Sequence, residues 1–127
     1  MRRGVIGIIE RPPREFLVIR RADGVAKPGY WCFPGGHLEP GENGRRAVQR
    51  ELAEELGIEV APLSRLGSVR VKDSNHILAV WRVRHVHGVL RPAPAEIAEI
   101  RWLSAAGIRM VSPALASNHR VLEMLGV

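Results

Sequence analysis

Three glutamates, Glu51, Glu54 and Glu55, fall within one stretch of five residues. On a helix that turns about 100° per residue, their side chains share a sector about 100° wide. Like charges at these spacings destabilise a helix by about 0.2–0.5 kcal/mol per pair, so the cluster has a cost. A hard divalent cation requires several oxygen ligands that converge from a rigid element. The spacing therefore indicates either a site for such a cation or a solvated acidic face.

The element that would carry these carboxylates is a helix beginning near Arg45. Asn43 suits an N-cap, and Gly57 suits the C-terminal stop. One apolar face is marked by residues spaced four apart, namely Val48, Leu52 and Leu56. The glutamates project directly beside this face, so we expect them at the edge of the core.

The rest of the chain is rich in strand patterns. Short apolar runs predict strands at 4–10, 15–21, 66–71, 77–86 and 99–103, and a terminal helix at 117–125. Segments 22–30 and 37–44 are rich in turn-forming residues and are predicted to be loops. Strands in this number with two helices fit an α/β fold in which helices cover a mixed sheet. We expect a single domain over residues 1–127, because the length suits one domain and no linker is visible.

Composition narrows the class of protein further. The chain has 127 residues, a net charge of +6 and a single cysteine, Cys32. One cysteine excludes an intrachain disulfide framework and a cysteine-based zinc cluster. No apolar run approaches the roughly 18–20 residues of a membrane span, so we expect a cytoplasmic protein without a membrane partner. The positive charge favours phosphorylated ligands, or else reflects a solvated basic surface.

Residues 36–58 resemble the signature of the Nudix hydrolases. The signature reads G-x5-E-x7-R-E-U-x-E-E-x-G-U, with U apolar, and this segment matches all nine specified positions from Gly36 to Ile58. We call residues 36–58 the Nudix box. The flanks are similar to the MutT-like branch of that family, through Arg20-Arg21, Trp31-x-Phe33-Pro34-Gly35-Gly36 and Glu99-Ile-Arg-Trp102.

The resemblance implies a fold and a reaction. The fold would be a mixed β-sheet between helices, an α/β/α sandwich. The reaction would be Mg²⁺-dependent, or Mn²⁺-dependent, cleavage of a nucleoside triphosphate to a monophosphate and pyrophosphate, with oxidised purine nucleotides among the candidate substrates. The alternative is a nucleotide sugar or another capped nucleoside diphosphate. A non-enzymatic nucleotide sensor or nucleic-acid-binding module is a third hypothesis. We expect a nucleotide substrate and no stable nucleic-acid partner, and leave the oligomeric state open, with a homodimer among the candidates.

The matched positions also imply roles for individual residues. Glu54 and Glu55 would be metal ligands, and the backbone carbonyl of Gly35 a further one. Glu51 would be either a ligand or the general base that takes the proton of the attacking water. Arg50 would orient the carboxylates as a hydrogen-bond donor.

A ligand outside the Nudix box is common in this family, and two glutamates are candidates. Glu96 is preferred because it lies in a proline-rich loop that could reach the metal. Glu99 begins a predicted strand and could instead pair with an arginine. Glu42, inside the box, is expected to tie the loop to the helix.

Three residues are candidates for substrate binding. Arg21 would bind the terminal phosphates. Phe33 would either stack on the base or belong to the core. Asn118 would either cap the terminal helix or, as the MutT-like resemblance implies, hydrogen-bond the edge of a purine.

Overall fold

The computed structural model describes residues 1–72 and 74–127. The described chain contains seven strands, β1 (Arg2–Arg11), β2 (Glu15–Arg21), β3 (Trp31–Cys32), β4 (Gly35–His37), β5 (Glu59–Arg70), β6 (His76–His87) and β7 (Ile97–Leu103). It also contains three helices, α1 (Gly44–Leu56), α2 (Ala105–Met110) and α3 (Ser117–Leu125). The structure confirms an α/β fold with helices on both sides of a mixed sheet. None of the described helices has the length and apolarity that crossing a membrane requires.

Most predicted elements are present, with some bounds displaced. The expected strand at 66–71 begins earlier, at Glu59, and passes Pro62 through an irregular register with β6. A proline interrupts the ladder of hydrogen bonds, which is why the sequence pattern underestimates this strand. The expected loop at 37–44 is shorter, because His37 ends β4 and Gly44 begins α1.

Strand β1 runs through the middle of the sheet. On one side it pairs in parallel with β6 along Arg2–Ile9, and β5 pairs antiparallel with β6 at the edge. On the other side it pairs with β2 only at Glu10 and Arg11, and with β4 at Gly4–Ile6. The strands β3 and β4 thus fill the gap where β1 and β2 separate, and β7 borders the far side of β2.

Alternating side chains of the strands build two cores. On β1, Val5 and Ile9 pack with α1, whereas Ile6 and Ile8 pack with α2 and α3. We call these two sides of the sheet the α1 face and the α3 face. Gly7 lets α1 approach closely, because a Cβ there would lie 2.7 Å from Leu52 Cδ1. Only strand side chains that point to the α1 face can therefore reach the glutamates of α1.

Helix α1 begins and ends where its capping residues predict. The Asn43 side chain accepts a hydrogen bond from the Arg46 N–H at 2.9 Å. Gly57 adopts a left-handed conformation with φ 69°, which favours glycine. These local signals fix the ends of the helix, and the packing of Val48, Leu52 and Leu56 on the sheet sets the direction of its glutamates.

Candidate active site

Arg50 lies at the centre of the carboxylate cluster. Its Nε and Nη2 atoms donate to Glu42 Oε2 at 2.8 Å and Oε1 at 2.9 Å. Its Nη1 atom donates to Glu51 Oε1 at 2.9 Å and to Glu54 Oε2 at 3.2 Å. Its Nη2 atom also donates to the His37 carbonyl at 2.9 Å. One guanidinium group therefore fastens the preceding loop to α1 and orients two carboxylates.

Glu42 is bound within this network. The hydrogen bonds from Arg50 hold the pKa of Glu42 at about 2. Its Oε1 atom also accepts from the Glu39 N–H at 3.0 Å. Both oxygens are used, which fits the expected role of tying the loop to the helix.

Glu55 is the most buried carboxylate of the cluster, with 7% of its surface exposed. Its Oε1 atom accepts from the Gly35 N–H at 3.0 Å, which joins α1 to β4. Burial, together with the negative charges of Glu51 and Glu96, raises the pKa of Glu55 to about 8. A buried carboxylate with such neighbours favours either a proton or a bound cation.

Glu51 lies against the glycine turn. A Cβ atom on Gly36 would lie 2.2 Å from Glu51 Cδ, so only glycine leaves room for this carboxylate. Burial also raises the pKa of Glu51, while hydrogen bonding to Arg50 opposes the rise. The space that the Glu51 carboxylate needs therefore explains why this position of the Nudix box is a glycine.

The carboxylates are close but do not form a preassembled ligand set. Among residues 1–72 and 74–127, no three His, Cys, Asp or Glu side chains converge with metal-binding geometry. Glu54 is 56% exposed and turns toward Arg50. Carboxylates repel one another, and pairing with the Arg50 guanidinium relieves part of that repulsion. The chemistry of these side chains fits a hard cation, because they offer only oxygen ligands and Glu42, Glu51 and Glu54 share the single positive charge of Arg50.

The loop that carries Glu96 is fastened to the C-terminus of α1. The N–H groups of Arg91 and Ala93 donate to the carbonyls of Leu56 at 2.7 Å and Glu55 at 2.8 Å. Hydrogen bonds between main-chain groups do not depend on the type of residue, so the sequence does not predict this connection. It sets the charge of Glu96 close enough to raise the pKa values of Glu51 and Glu55.

Glu99 lies on the other side of the sheet. It accepts from Arg101 Nε at 2.7 Å and from Arg20 Nε at 3.2 Å, and these bonds lower its pKa. It pairs across the strands with Arg20, next to Val18 on the α3 face. The pairing of β2 with β7 changes register after Arg20, between this pair and the segment that leads to Glu96. Its contacts therefore match the alternative of pairing with arginine.

The two glutamates can be compared by matched substitutions. We expect Glu96→Gln to lower kcat at least about tenfold, because the lost charge faces the cluster on α1. We expect Glu99→Gln to change kcat by less than about twofold, because its charge faces away. Steady-state kinetics of the two variants checks this, and a larger loss in Glu99→Gln would reverse the assignment.

A second prediction concerns pH in the presence of EDTA. The ordinary pKa of Glu55 is 4.5 and its folded value is about 8. Between these values the folded protein holds a proton that the unfolded chain releases, so stability falls as pH rises. We expect the Tm in EDTA to fall between about pH 5 and pH 8. The slope should be smaller in Glu55→Gln, and equal slopes in both proteins would contradict the shift.

Arg21 lies on the α1 face, in alternation with Leu17 and Ile19. Its Nε donates to the Ala26 carbonyl at 2.6 Å, and Nη1 lies 4.0 Å from Cys32 Sγ. Its positive charge lowers the pKa of Glu55, opposing the effect of burial. The structure therefore brings Arg21 to the side of the sheet that carries the glutamates.

The other two substrate candidates are buried on the α3 face. Phe33 is 4% exposed and packs in the core with α2 and α3, so its ring presents no free face to a base. Asn118 is also 4% exposed, and its Nδ2 donates to the Trp31 carbonyl at 3.0 Å. The capping interpretation of Asn118 is wrong, because Ala116 is the N-cap residue of α3. Its hydrogen bond joins α3 to β3, and contact with a purine stays a prediction.

Comparison with known proteins settles the family. The model of the NUDIX domain matches residues 1–124. This chain is a Nudix hydrolase. The MutT-like NUDIX hydrolase structure from Burkholderia pseudomallei superposes with a TM-score of 0.85 at 26% identity, covering 98% of this chain and 97% of that one.

Two curated relatives of this Nudix chain differ in their named activities. The asymmetrical bis(5'-nucleosyl)-tetraphosphatase of Rattus norvegicus is 30% identical over 126 residues, which cover 99% of this chain and 74% of that protein. The CTP pyrophosphohydrolase of Escherichia coli is 40% identical over 89 residues, which cover 68% of this chain and 65% of that protein. Homologues of this Nudix hydrolase therefore act on more than one class of nucleotide.

Proposed function

We propose that this Nudix hydrolase is a Mg²⁺-dependent nucleoside triphosphate pyrophosphohydrolase. It would convert a nucleoside triphosphate and water to a nucleoside monophosphate and pyrophosphate. The observation that carries the proposal is the group of carboxylates on α1. Arg50 orients them, and they lie on the same side of the sheet as Arg21. The similarity to a CTP pyrophosphohydrolase supports a triphosphate substrate.

The residues that would hold the cation are Glu51, Glu54, Glu55 and Glu96, together with the Gly35 carbonyl. When bound, Mg²⁺ neutralises the anionic oxygens of a diphosphate and lowers the pKa of an attacking water. The Gly35 N–H keeps one oxygen of Glu55 in place. Glu54, whose side chain is 56% exposed, can turn from Arg50 toward a cation without disturbing the core.

Two further residues would act on the reactants. Glu51 would accept the proton of the attacking water, and the hydrogen bond from Arg50 holds its carboxylate in one orientation. Arg21 would bind the terminal phosphates, because a guanidinium group matches two phosphate oxygens. The carbonyl of Ala26 restrains the Arg21 side chain before substrate arrives.

Product analysis across a nucleotide panel tests the proposal. The purified protein is incubated with Mg²⁺ and each nucleotide, oxidised purine triphosphates included, and the products are resolved by ion-exchange chromatography. We expect pyrophosphate and a nucleoside monophosphate from at least one triphosphate, and no turnover in EDTA. Turnover that persists in EDTA, or no turnover of any triphosphate, would overturn the proposal.

A second candidate is cleavage of a capped diphosphate, such as a dinucleoside polyphosphate or a nucleotide sugar. The match to an asymmetrical tetraphosphatase over 99% of this chain favours it. The same panel separates the two, because a nucleotide sugar would yield two phosphomonoesters and no pyrophosphate. The residues on α1 would keep their roles in either reaction.

A further inference from the structure

Two histidine rings stack on each other beside the glycine turn of the Nudix box. The ring of His37, which ends β4, lies with its centroid 5.1 Å from that of His76, which begins β6, at an interplanar angle of 21°. The two strands do not pair with each other, because β1 runs between them and pairs with both. Gly4, the partner of His37 on β1, carries no side chain that would separate the rings. We call His37 and His76 the histidine stack.

The histidine stack lies on the α3 face of the sheet. Residues that pair directly across two strands share a face. On β1, the partner of His37 is Gly4. The partner of His76 is Arg2. Arg2 and Gly4 alternate with Ile6, which packs in the core on the α3 face, so both rings belong to that side.

The two rings differ in how they are held. His76 Nδ1 forms a hydrogen bond with Ser74 Oγ, which fixes one edge of the inner ring. His76 Nε2 is buried and has no hydrogen-bond partner among the described residues, so the contact of this ring with His37 is made through its face. His37 is exposed, and no third aromatic ring stacks on it within residues 1–72 and 74–127. The stack therefore has a fixed inner ring and an outer ring with surface open to a ligand.

The histidine stack adjoins the carboxylate cluster through β4. The His37 carbonyl accepts from Arg50 Nη2 at 2.9 Å, and the same guanidinium binds Glu51. Gly36, the residue before His37, is the one whose Cβ would collide with Glu51. Because consecutive strand residues point to opposite faces, Glu51 and the His37 ring lie on the two sides of one short strand. The edge of β4 away from β1 pairs with no strand in the described chain, so a ligand at that edge can contact both sides.

The outer ring is uncharged at neutral pH. Burial, together with nearby positive charges that include Arg2 and Arg21, lowers the pKa of His37 below its ordinary value of 6.5. The charge of Arg21, which is proposed to bind phosphates, thus acts on this ring. An uncharged aromatic ring presents a face on which another planar ring can stack.

From these observations we infer that the histidine stack is the platform on which the nucleobase of the substrate stacks. The phosphates then extend past the open edge of β4 toward Arg21 and the carboxylates of α1. The inference rests on the proposed function, because it assigns a place to the base of the same substrate. Stacking on an aromatic ring tolerates any base, since every base has a π face. The platform therefore favours nucleotides over inorganic polyphosphates and does not choose between purines and pyrimidines.

Binding measured without turnover provides the first test. The ring C–H resonances of His37 are identified by their loss in His37→Phe. The protein with Mg²⁺ at neutral pH is titrated with the α,β-methylene analogues of ATP, GTP, CTP and UTP, which resist cleavage to a monophosphate. Tripolyphosphate is the control that lacks a base. We expect at least one analogue to shift the His37 resonances upfield and saturably, through the ring current of the stacked base, and tripolyphosphate to cause no such shift. No upfield shift with any of the four analogues, or an equal one with tripolyphosphate, would overturn the platform.

Matched variants separate stacking from a disturbance of the fold. His37→Ala removes the outer ring, His37→Phe replaces it with another ring, and His87→Ala removes a histidine at the opposite end of β6. By calorimetric titration with the analogue that gives the shift, we expect His37→Ala to weaken binding about tenfold. We expect less than about a twofold change in the other two variants, and in the affinity of all three for tripolyphosphate.

Two results of these titrations would contradict the platform. Equal weakening of tripolyphosphate binding in His37→Ala would show that the substitution disturbs the phosphate site. Weak binding of the analogue by His37→Phe would show that an aromatic face is not what the ligand needs. Because neither measurement requires turnover, a platform without hydrolysis would contradict the proposed function alone, and hydrolysis without the platform would contradict this inference alone.

Discussion

Replacing Glu54 by glutamine will lower kcat at least about 10²–10³-fold, the scale of removing one electrostatic stabiliser. The substitution keeps the size of the side chain and removes only its charge. Because Glu54 is 56% exposed, we expect the Tm to change little. The measurement is kcat with Mg²⁺, together with circular dichroism to show that the variant is folded.

The control is Glu123→Gln, which removes an exposed carboxylate from α3 on the other side of the sheet. We expect this variant to keep its activity within about twofold. Near wild-type turnover in Glu54→Gln would remove Glu54 from the proposed metal site. A similar loss in both variants would indicate an effect of net charge.

The second large effect is expected from a single methyl group on Gly36. In Gly36→Ala, the new Cβ would lie within 2.2–2.5 Å of the carboxylate atoms of Glu51. The side chain of Glu51 can move and the strand is regular there, so the fold should accommodate the change. The displaced carboxylate should lower kcat about 10²-fold, since a misplacement of about 1 Å has costs of that order.

Gly24→Ala is the matched control, because its Cβ would find only the Ala95 carbonyl, at 3.9 Å. We expect near wild-type kcat in this variant and similar Tm values in both. Unchanged activity in Gly36→Ala would show that the orientation of Glu51 does not matter for catalysis. A large fall in its Tm would instead assign Gly36 a role in folding.

The parts of the structure that follow from local signals could be predicted. Asn43 and Gly57 bound α1 correctly, because capping depends on neighbouring residues only. Strand β4 was not predicted, because it has only three residues and exists only through pairing with β1. Helix α2 was also missed, since its six residues bury only Ile108 and show little periodicity.

The candidate site divides in the same way. The spacing of glutamates along α1 predicts which side chains share one side of the helix. The sequence alone does not show which of Glu96 and Glu99 lies near the carboxylate cluster. The answer depends on the register between β2 and β7, which shifts after Arg20. The burial of Phe33 depends on α2 and α3, which come from distant parts of the sequence.

The charges of α1 have a consequence for folding. Its first turn contains no acidic residue but does contain Arg45 and Arg46, and its last turn contains no basic residue but does contain Glu54 and Glu55. The charges at both ends interact unfavourably with the helix dipole, and each destabilises the helix by about 0.3–1 kcal/mol. A free peptide of this length is marginal even without that penalty, so the segment should be helical only when docked on the sheet. A cation held by Glu54 and Glu55 would compensate the charges at the last turn and would therefore slow amide hydrogen exchange throughout the helix.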